Sequence, residues 1–500
     1  MNFKTFKIKD FSSQADKFEK ILIIGSEAGL KSLKKWQSSL GEDLTSRLQM
    51  LVDRHRAQLK PSFSATATAN RLKSPDVHLA ILDSKLSMFN RLEFFRSQLK
   101  TALSKETKSF GVVFLGLEAL EQSLAECFAA ALSARVARLP LYGKKLKDQK
   151  SFELKEASVF CSKNVEANLR YGFQSGEASN RVRVWGMTPP NELDPEKFGK
   201  IIKKICDQYR FTFKFYSSSE LKKMGAGAFT AVDQGNPDSK GGIYEITYSP
   251  RTAKNKKPVA LVGKGLCFDT GGYDIKTASY MIGMKGDMQG AAVALSTLVA
   301  LAELKIPLRA KAFLGVTENH ISPKSYKPDE VIVSLNGTSI EVVNTDAEGR
   351  MVLADVLTMA SRTKPDMIID FATLTGMAIY SIGKNYAAAF TNQEKWHSMI
   401  IESGKNAGER AWPFPMDKDY DKLLESSIAD TLQCSKARGV DHILAAMFLQ
   451  KFVENDTPWV HIDLAAAEKA GGLAHVDSEF TGFGPRWALE FLRQKYKFKV

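Results

Sequence analysis

Lysine and carboxylate side chains recur in three short, glycine-containing segments in the second half of this chain. Segment 262–272 reads VGKGLCFDTGG and leads to Lys276, segment 284–291 reads MKGDMQGA, and segment 344–350 reads NTDAEGR. Each segment follows a predicted strand or opens a predicted helix, and ligands of open α/β sheets bind where strands end. The pattern therefore predicts that the three segments meet at one site.

The chemistry of such a site follows from its four acidic residues, which are Asp269, Asp287, Asp346 and Glu348. Carboxylates that converge on one cleft repel one another unless cations are present. Divalent ions prefer hard oxygen ligands, and two ions close together form a hydrolytic site. Lys264 and Lys276 could then supply an amine ligand and an electrophile. A lysine that ligates a metal must be neutral, so we expect a depressed pKa for it.

The alternative interpretation treats each acidic residue as an ordinary turn or helix-capping residue. For one aspartate in a glycine-containing turn, this alternative is the more frequent case. Three such segments together favour convergence on one cleft, although spacing alone does not demonstrate it. Segment 263–265 (GKG) lacks the GxxxxGK[ST] pattern of a phosphate-binding loop.

Alternating strand and helix patterns place these segments in an α/β fold with two domains. Apolar runs at 21–25, 78–82 and 111–117 predict the strands of a small N-terminal α/β domain. We expect this domain to cover residues 1–160, a helical linker to cover 161–185, and a larger α/β catalytic domain to cover 186–500.

Within the catalytic domain, strand patterns at 259–262, 311–316, 367–371 and 459–464 alternate with helical patterns at 287–303 and 351–360. Segments 330–334 and 339–343 predict a hairpin around Asn336 and Gly337. We expect a mixed sheet that is covered by helices on both faces.

Composition narrows the class of protein. The 500 residues are 44% hydrophobic and 25% charged, which excludes a disordered, collagen-like or disulfide-scaffold chain. The net charge is +14, and residues 1–150 hold 26 basic against 15 acidic side chains. This basicity favours a solvated surface over contact with nucleic acid, since no RNP, zinc-finger or bZIP motif accompanies it. DNA binding by the basic N-terminal domain is the alternative function.

Five scattered cysteines, none in CxxC spacing, are typical of reduced thiols in a cytosol-like compartment. We expect no signal peptide, because no apolar run follows the N-terminal lysines. The longest uncharged helical stretch, 288–302, is shorter than the ~20 residues that a membrane span needs. The sequence therefore predicts a cytoplasmic protein without a membrane segment.

Segment 344–350 resembles the signature heptapeptide of the leucyl aminopeptidase family of metallopeptidases. The family's flanking motifs appear in order at 262–265, 268–272, Lys276, 284–288, 317–319, 372–376, 459–464 and 481–484. The likeness extends from residue 184 to residue 492, and Tyr273 after the glycine pair favours the peptidase B branch. The resemblance implies a cytosolic homohexamer that removes the first residue of peptides, with leucine-like residues preferred.

The resemblance also implies two divalent ions per subunit, Mn²⁺ or Zn²⁺, and assigns their ligands by motif. The tighter-binding ion would be held by Lys264, Asp269, Asp287 and Glu348. The exchangeable ion would be held by Asp269, Asp346 and Glu348, so that Asp269 and Glu348 bridge the two. A hydroxide between the ions would act as the nucleophile.

Residues outside the ligand set receive roles from the same resemblance. Lys276 would polarise the scissile carbonyl and stabilise the tetrahedral oxyanion. Arg350 would hold a bicarbonate ion that serves as the general base. Met284, Thr373 and Gly376 would line the pocket for the side chain of the first residue.

Three residues depart from the family pattern. Tyr273 and Asp274 replace small or apolar residues, and Asp274 adds a negative charge beside the cleft. Gln289 replaces a residue that is usually small. None of the three is a proposed ligand, so they bear on substrate preference rather than on the reaction. His320, close behind the 317–319 motif, is predicted to be a structural loop residue.

Overall fold

A computed structural model of the chain describes residues 1–55, 64–67, 75–238, 240–437 and 439–499. The chain divides into two compact units. The first contains Met1–Glu177 and Leu473–Asp477, and the second contains Ala178–Gly472 and Ser478–Lys499. Both units combine helices with a sheet, which confirms the predicted α/β class.

The first unit has a largely parallel sheet. Its strands are β1 (Asn2–Lys7), β2 (Lys20–Gly25), β3 (Ser64–Ala67), β4 (Asp76–Ile81), β5 (Ser109–Leu115) and β6 (Glu156–Cys161). Its helices are α1 (Glu27–Lys31), α2 (Gln37–Leu40), α3 (Glu42–Arg54), α4 (Met88–Ala102), α5 (Glu121–Val136) and α6 (Lys144–Lys147). The strand order is β1-β6-β5-β2-β4-β3, and β3 pairs antiparallel with β4. The apolar run of β2 is fully buried, as expected of a central parallel strand.

One long helix, α7 (Glu166–Met187), occupies most of the segment predicted to be a helical linker. The two compact units divide inside this helix, after Glu177. The limits 1–160, 161–185 and 186–500 stay predictions of the domain organisation.

The second unit is built on a mixed sheet of eight described strands. With the three strands of a smaller sheet, the described strands of this unit in chain order are β7 (Thr212–Ser217), β8 (Gly242–Tyr248), β9 (Val259–Asp269), β10 (Ala310–Asn319), β11 (Val331–Val333), β12 (Ser339–Glu341), β13 (Met367–Ala372), β14 (Ala387–Thr391), β15 (Ala411–Pro413), β16 (Thr431–Leu432) and β17 (Trp459–Asp463). The order in the main sheet is β15-β14-β17-β13-β9-β10-β8-β7. Its four central strands are parallel, whereas β14, β8 and β7 run antiparallel to their inner neighbours. The predicted hairpin is confirmed as β11 and β12, which form a small sheet with β16.

Helices cover this sheet on both faces, as predicted. They are α8 (Pro195–Tyr209), α9 (Ser218–Met224), α10 (Gly227–Asp233), α11 (Ala278–Met281), α12 (Gln289–Glu303), α13 (Glu348–Arg362), α14 (Gly376–Ile382), α15 (His397–Ala407), α16 (Asp441–Gln450) and α17 (Pro485–Tyr496). Side chains alternate along a strand. Gly263 of β9 lies against Ala291 of α12, and the next residue, Lys264, lies against Gly349 of α13. The central strand thus carries helices on opposite faces.

A buried aspartate ties α13 to two neighbouring segments. Asp355 accepts hydrogen bonds from the backbone N–H of Phe229 in α10 and from the backbone N–H of Leu335, both at 2.8 Å. Its side chain is fully buried, and burial raises its pKa to about 7. The carboxylate therefore satisfies two backbone donors, one buried and one in a partly buried segment.

Replacing Asp355 with alanine is expected to lower the free energy of unfolding by about 2–4 kcal/mol, because two backbone donors lose their acceptor. Urea denaturation followed by circular dichroism would measure the change. Asp207→Ala, at an exposed position of α8, serves as the control and should change stability by less than about 0.5 kcal/mol. Equal midpoints for the two variants would contradict the role assigned to Asp355.

Candidate functional site

Strand β9 positions the first of the predicted site residues. The sequence predicts a strand at 259–262 that ends before the motif, but β9 continues to Asp269. The extension pairs with the parallel strand β10, with Lys264 opposite Gly315 and a register shift between Thr317 and Asn319. Lys264 therefore lies within the strand, and Asp269 marks its end.

The Lys264 ammonium lies in a cage of oxygen atoms. Its Nζ is 2.9 and 2.8 Å from the two carboxylate oxygens of Asp287 and 2.9 Å from Oε1 of Glu348. It also donates to the carbonyl of Thr373 at 2.9 Å. Gly349 permits this approach, since a Cβ at that position would lie 2.7 Å from Nζ.

The charges around Lys264 decide the direction in which its pKa is shifted. Burial alone would lower the pKa of the amine, but attraction to Asp287, Glu348 and Asp269 outweighs burial and raises it. The predicted depressed pKa concerns a lysine that ligates a metal ion, and it stays a prediction. A proton on Lys264 offsets the carboxylates that surround it.

Lys276 bridges two further carboxylates. Its Nζ is 2.8 Å from Oδ2 of Asp269 and 2.5 Å from Oδ1 of Asp346. Burial opposes the charge on Lys276, but these carboxylates and Glu348 raise its pKa. The loop that carries Lys276 turns through Gly271 and Gly272, whose positive φ values of 88° and 67° favour glycine.

Asp274, one of the departures from the family pattern, holds this loop in place. Its carboxylate accepts from the backbone N–H of Thr345 at 2.8 Å and from the Thr345 hydroxyl at 3.2 Å. The same hydroxyl donates to the carbonyl of Gly271 at 2.7 Å. The extra negative charge thus serves to join the Lys276 loop to the turn that precedes α13.

Three carboxylates form a compact set. One oxygen each from Asp269, Asp346 and Glu348 lie within 4.8 Å of one another. Asn319, at the end of β10, donates to Oδ1 of Asp269 at 2.9 Å and orients it. Burial raises the pKa of Glu348 to about 8, and the charge of Asp269 adds to the shift.

This carboxylate set suits a hard divalent cation. Oxygen ligands from three carboxylates match the preference of such ions. Oε2 of Glu348 is buried and has no hydrogen-bonding partner among the described residues. A buried carboxylate oxygen without a partner costs free energy that a bound cation would recover.

Arg350 is buried in the first turn of α13 and pairs with an acidic residue on α16. Its terminal nitrogens lie 2.9 Å from both carboxylate oxygens of Asp441 and 3.3 Å from the carbonyl of Gln433. Its Nε has no partner among the described residues. Attraction to Asp441 outweighs burial and raises the pKa of Arg350. Any anion at Arg350 therefore shares the guanidinium with Asp441.

The three predicted pocket residues lie on two segments beside this cage. Thr373 donates its hydroxyl to Oδ1 of Asp287 at 2.7 Å. Gly376 opens α14, and a Cβ added there would meet no atom within 4 Å. Met284 is half-buried and begins the short 3₁₀ turn Met284–Gly286, directly before Asp287.

Comparison with known proteins shows to which family this arrangement belongs. Residues 180–489, more than half of the chain, match the catalytic domain of the cytosol aminopeptidase family, peptidase M17. The chain belongs to this family. The resemblance found in segment 344–350 is confirmed at the level of the family, and the protein is an aminopeptidase-type hydrolase.

Individual relatives agree with this assignment. A probable cytosol aminopeptidase of Aquifex aeolicus is 38% identical over 357 residues, which cover 71% of each chain. The structure of the cytosol aminopeptidase from Coxiella burnetii is 25% identical, with a TM-score of 0.81 and 99% of both chains covered. Bottromycin maturation enzyme BotP in complex with Mn is 26% identical, with a TM-score of 0.80, 95% of this chain and 99% of its own covered. The peptidase B branch stays a prediction.

Two aspartates that support the site of this cytosol aminopeptidase family member were missed by the sequence reasoning. Asp441 pairs with Arg350, and Asp463, at the end of β17, accepts from the Thr375 hydroxyl at 2.7 Å and the Leu374 N–H at 3.1 Å. Asp463 thereby fixes the loop whose Thr373 carbonyl contacts Lys264. The only feature of the sequence that could have pointed to Asp463 was its position at the end of a predicted strand.

His320, which the sequence analysis treats as a structural loop residue, has its Nε2 2.7 Å from Oε2 of Glu318.

Proposed function

We propose that this protein is a metal-dependent aminopeptidase that hydrolyses the first peptide bond of its substrates. The observation that carries the proposal is the set of three carboxylates, Asp269, Asp346 and Glu348, whose oxygens lie within 4.8 Å of one another. The ammonium groups of Lys264 and Lys276 contact members of this set. Membership of the cytosol aminopeptidase family and the Mn complex of a structural neighbour support it.

Two divalent ions would share the carboxylates. Lys264, Asp269, Asp287 and Glu348 would hold one ion, and Asp269, Asp346 and Glu348 would hold the other. When bound, the ions would supply Lewis-acid activation of water and of the scissile carbonyl. Lys264 can ligate an ion only as a free amine. The proton that the neighbouring carboxylates stabilise on this amine must therefore leave when an ion binds.

Other side chains would act on the substrate. Lys276 would place its positive charge where the oxyanion of the tetrahedral intermediate forms. Met284, Thr373 and Gly376 would surround the side chain of the first residue. Arg350 would hold a bicarbonate ion as general base, with Asp441 orienting the guanidinium.

Two finer expectations, the leucine-like preference and the homohexamer, come from the resemblance alone. The cytoplasmic location is expected from the scattered cysteines as well as from the resemblance. Relatives named cytosol aminopeptidase support this location. Among the described residues, no helix has the length and apolarity to cross a membrane. DNA binding by the basic N-terminal region stays a prediction.

We expect the full-length protein to release p-nitroaniline from leucine p-nitroanilide when Mn²⁺ or Zn²⁺ is present. Treatment with a chelator should abolish the reaction, and added metal should restore it, because the carboxylates must be bridged by cations. The matched control is N-acetyl-leucine p-nitroanilide, which lacks the free α-amine. No cleavage of any unblocked aminoacyl anilide with either ion would contradict the proposal, as would equal cleavage of the blocked substrate.

A further inference from the structure

A glutamate that no step of the reaction uses lies beside the predicted pocket for the first side chain. Glu468 follows β17 and is half-buried. A Cβ at Gly286 would lie 2.8 Å from its Oε1, and a Cβ at Gly283 would lie 3.9 Å from its Oε2. These two glycines flank Met284, so the carboxylate faces the backbone of the turn that carries a predicted pocket residue.

A lysine that follows the other predicted pocket residues in the chain acts on Glu468. Thr373 and Gly376 lie on the segment that continues through α14 to Lys384. Burial raises the pKa of Glu468, and the charge of Lys384 is near enough to lower it in part. Glu468 thus lies near the turn that carries Met284 and within electrostatic reach of Lys384, which follows α14.

A buried amide lies next to this carboxylate. Gln289 is 1% exposed, and neither its Oε1 nor its Nε2 has a hydrogen-bonding partner among the described residues. The same Cβ at Gly286 would lie 3.1 Å from Nε2 of Gln289 and 2.7 Å from the Phe480 ring. The carboxylate, the amide and the ring therefore pack against the backbone of Gly286.

Neighbouring charges do not pair with Glu468. Lys285 donates to the carbonyl of Met187 at 3.1 Å and lies over the Phe480 ring. Among the described residues, no ion pair or hydrogen bond to the Glu468 carboxylate is present, while Glu479 and Asp287 add negative charge around it. A substrate side chain that reaches Glu468 therefore meets a carboxylate that is not paired with a cation.

We infer that Glu468 forms a polar end to the pocket and selects a first residue with a basic side chain, lysine or arginine. This inference rests on the proposed aminopeptidase function and revises its leucine-like preference. A leucine side chain would leave the Glu468 carboxylate unpaired. An ammonium or guanidinium group would donate charge-assisted hydrogen bonds to that carboxylate.

The test compares kcat/KM for the p-nitroanilides of lysine, arginine, methionine and leucine in the metal-loaded enzyme. Methionine is the neutral control of similar length. We expect lysine and arginine to exceed methionine by about tenfold or more, as for one hydrogen bond to a charged group. Glu468→Gln should reduce the ratio of lysine to methionine by about 10- to 100-fold.

Glu479→Gln, at an exposed position near Glu468, is the matched control and should leave this ratio unchanged. Glu468→Met provides a second variant, which should shift the preference towards leucine and methionine. A wild-type preference for leucine or methionine would overturn the inference, as would equal losses on all four substrates in both Glu468 variants. Failure of the wild type to cleave any of the four would instead overturn the proposed function.

Discussion

Glu348→Gln is expected to remove nearly all turnover and to reduce the metal content of the purified protein. Glu348 has one oxygen 2.9 Å from the Lys264 Nζ and a buried second oxygen without a hydrogen-bonding partner among the described residues. It also belongs to the set of three carboxylates within 4.8 Å. We therefore expect it to touch both ions.

The substitution removes charge while it preserves shape. A neutral amide cannot offset a divalent cation, and its NH₂ group would point donors at the ion. We expect turnover to fall by at least about 100-fold, the scale seen when one preorganised group at a reacting centre is lost. The fold should persist, because Lys264 keeps both contacts with Asp287 and its contact with Thr373.

Metal content after dialysis, measured by atomic spectroscopy, separates this prediction from a general loss of folding. Wild-type protein should retain more metal than Glu348→Gln at equal circular dichroism. Glu402→Gln, at an exposed position of α15, is the control and should match the wild type in both measurements. Wild-type metal content and turnover in Glu348→Gln would refute the ligand role.

Lys276→Ala should reduce kcat by about 100- to 1,000-fold through loss of a positive charge at the developing oxyanion. The Lys276 ammonium is 2.8 Å from Asp269 and 2.5 Å from Asp346, so it lies against two of the proposed metal ligands. It belongs to the loop after β9, whereas Lys264 lies within the strand and contacts Asp287 and Glu348.

The expected effects of Lys276→Ala on metal content and kcat differ from those of replacing a metal ligand. Lys276→Ala leaves all five proposed metal-holding residues in place, so metal content should stay close to that of the wild type while kcat falls. Lys324→Ala, in an exposed loop, is the charge-matched control and should retain normal kcat. Near-normal kcat in Lys276→Ala, or a loss explained entirely by missing metal, would refute the electrophile role.

The sequence predicted most strands and helices of the catalytic unit because their burial patterns are local. An apolar run such as that of β13 and the alternation around Asn336 are visible within a few residues. The length of β9 was not predictable in this way. Its second half, from Gly263 to Asp269, contains glycines, a lysine and an aspartate, and it is a strand because β10 lies beside it.

Contacts between residues that are far apart in the sequence account for the other features that local patterns did not predict. Asp441 lies 91 positions from Arg350, and Asp463 lies 88 positions from Thr375, so no local pattern joins them. Asp274 and Gln289 could be singled out as departures from a pattern. Only the fold shows that Asp274 holds Thr345 and that Gln289 lies near Glu468 beside Gly286.

The types and order of the chemical groups were thus determined by the sequence alone. Four carboxylates and two lysines in glycine-containing segments specify a site for hard cations, because charge and donor chemistry belong to the residues themselves. The tertiary structure decided which of these groups meet, and that carboxylates surround the Lys264 amine. It also decided that a glutamate far along the chain lies beside Met284. Distances and burial set these properties, and both depend on how strands and helices pack.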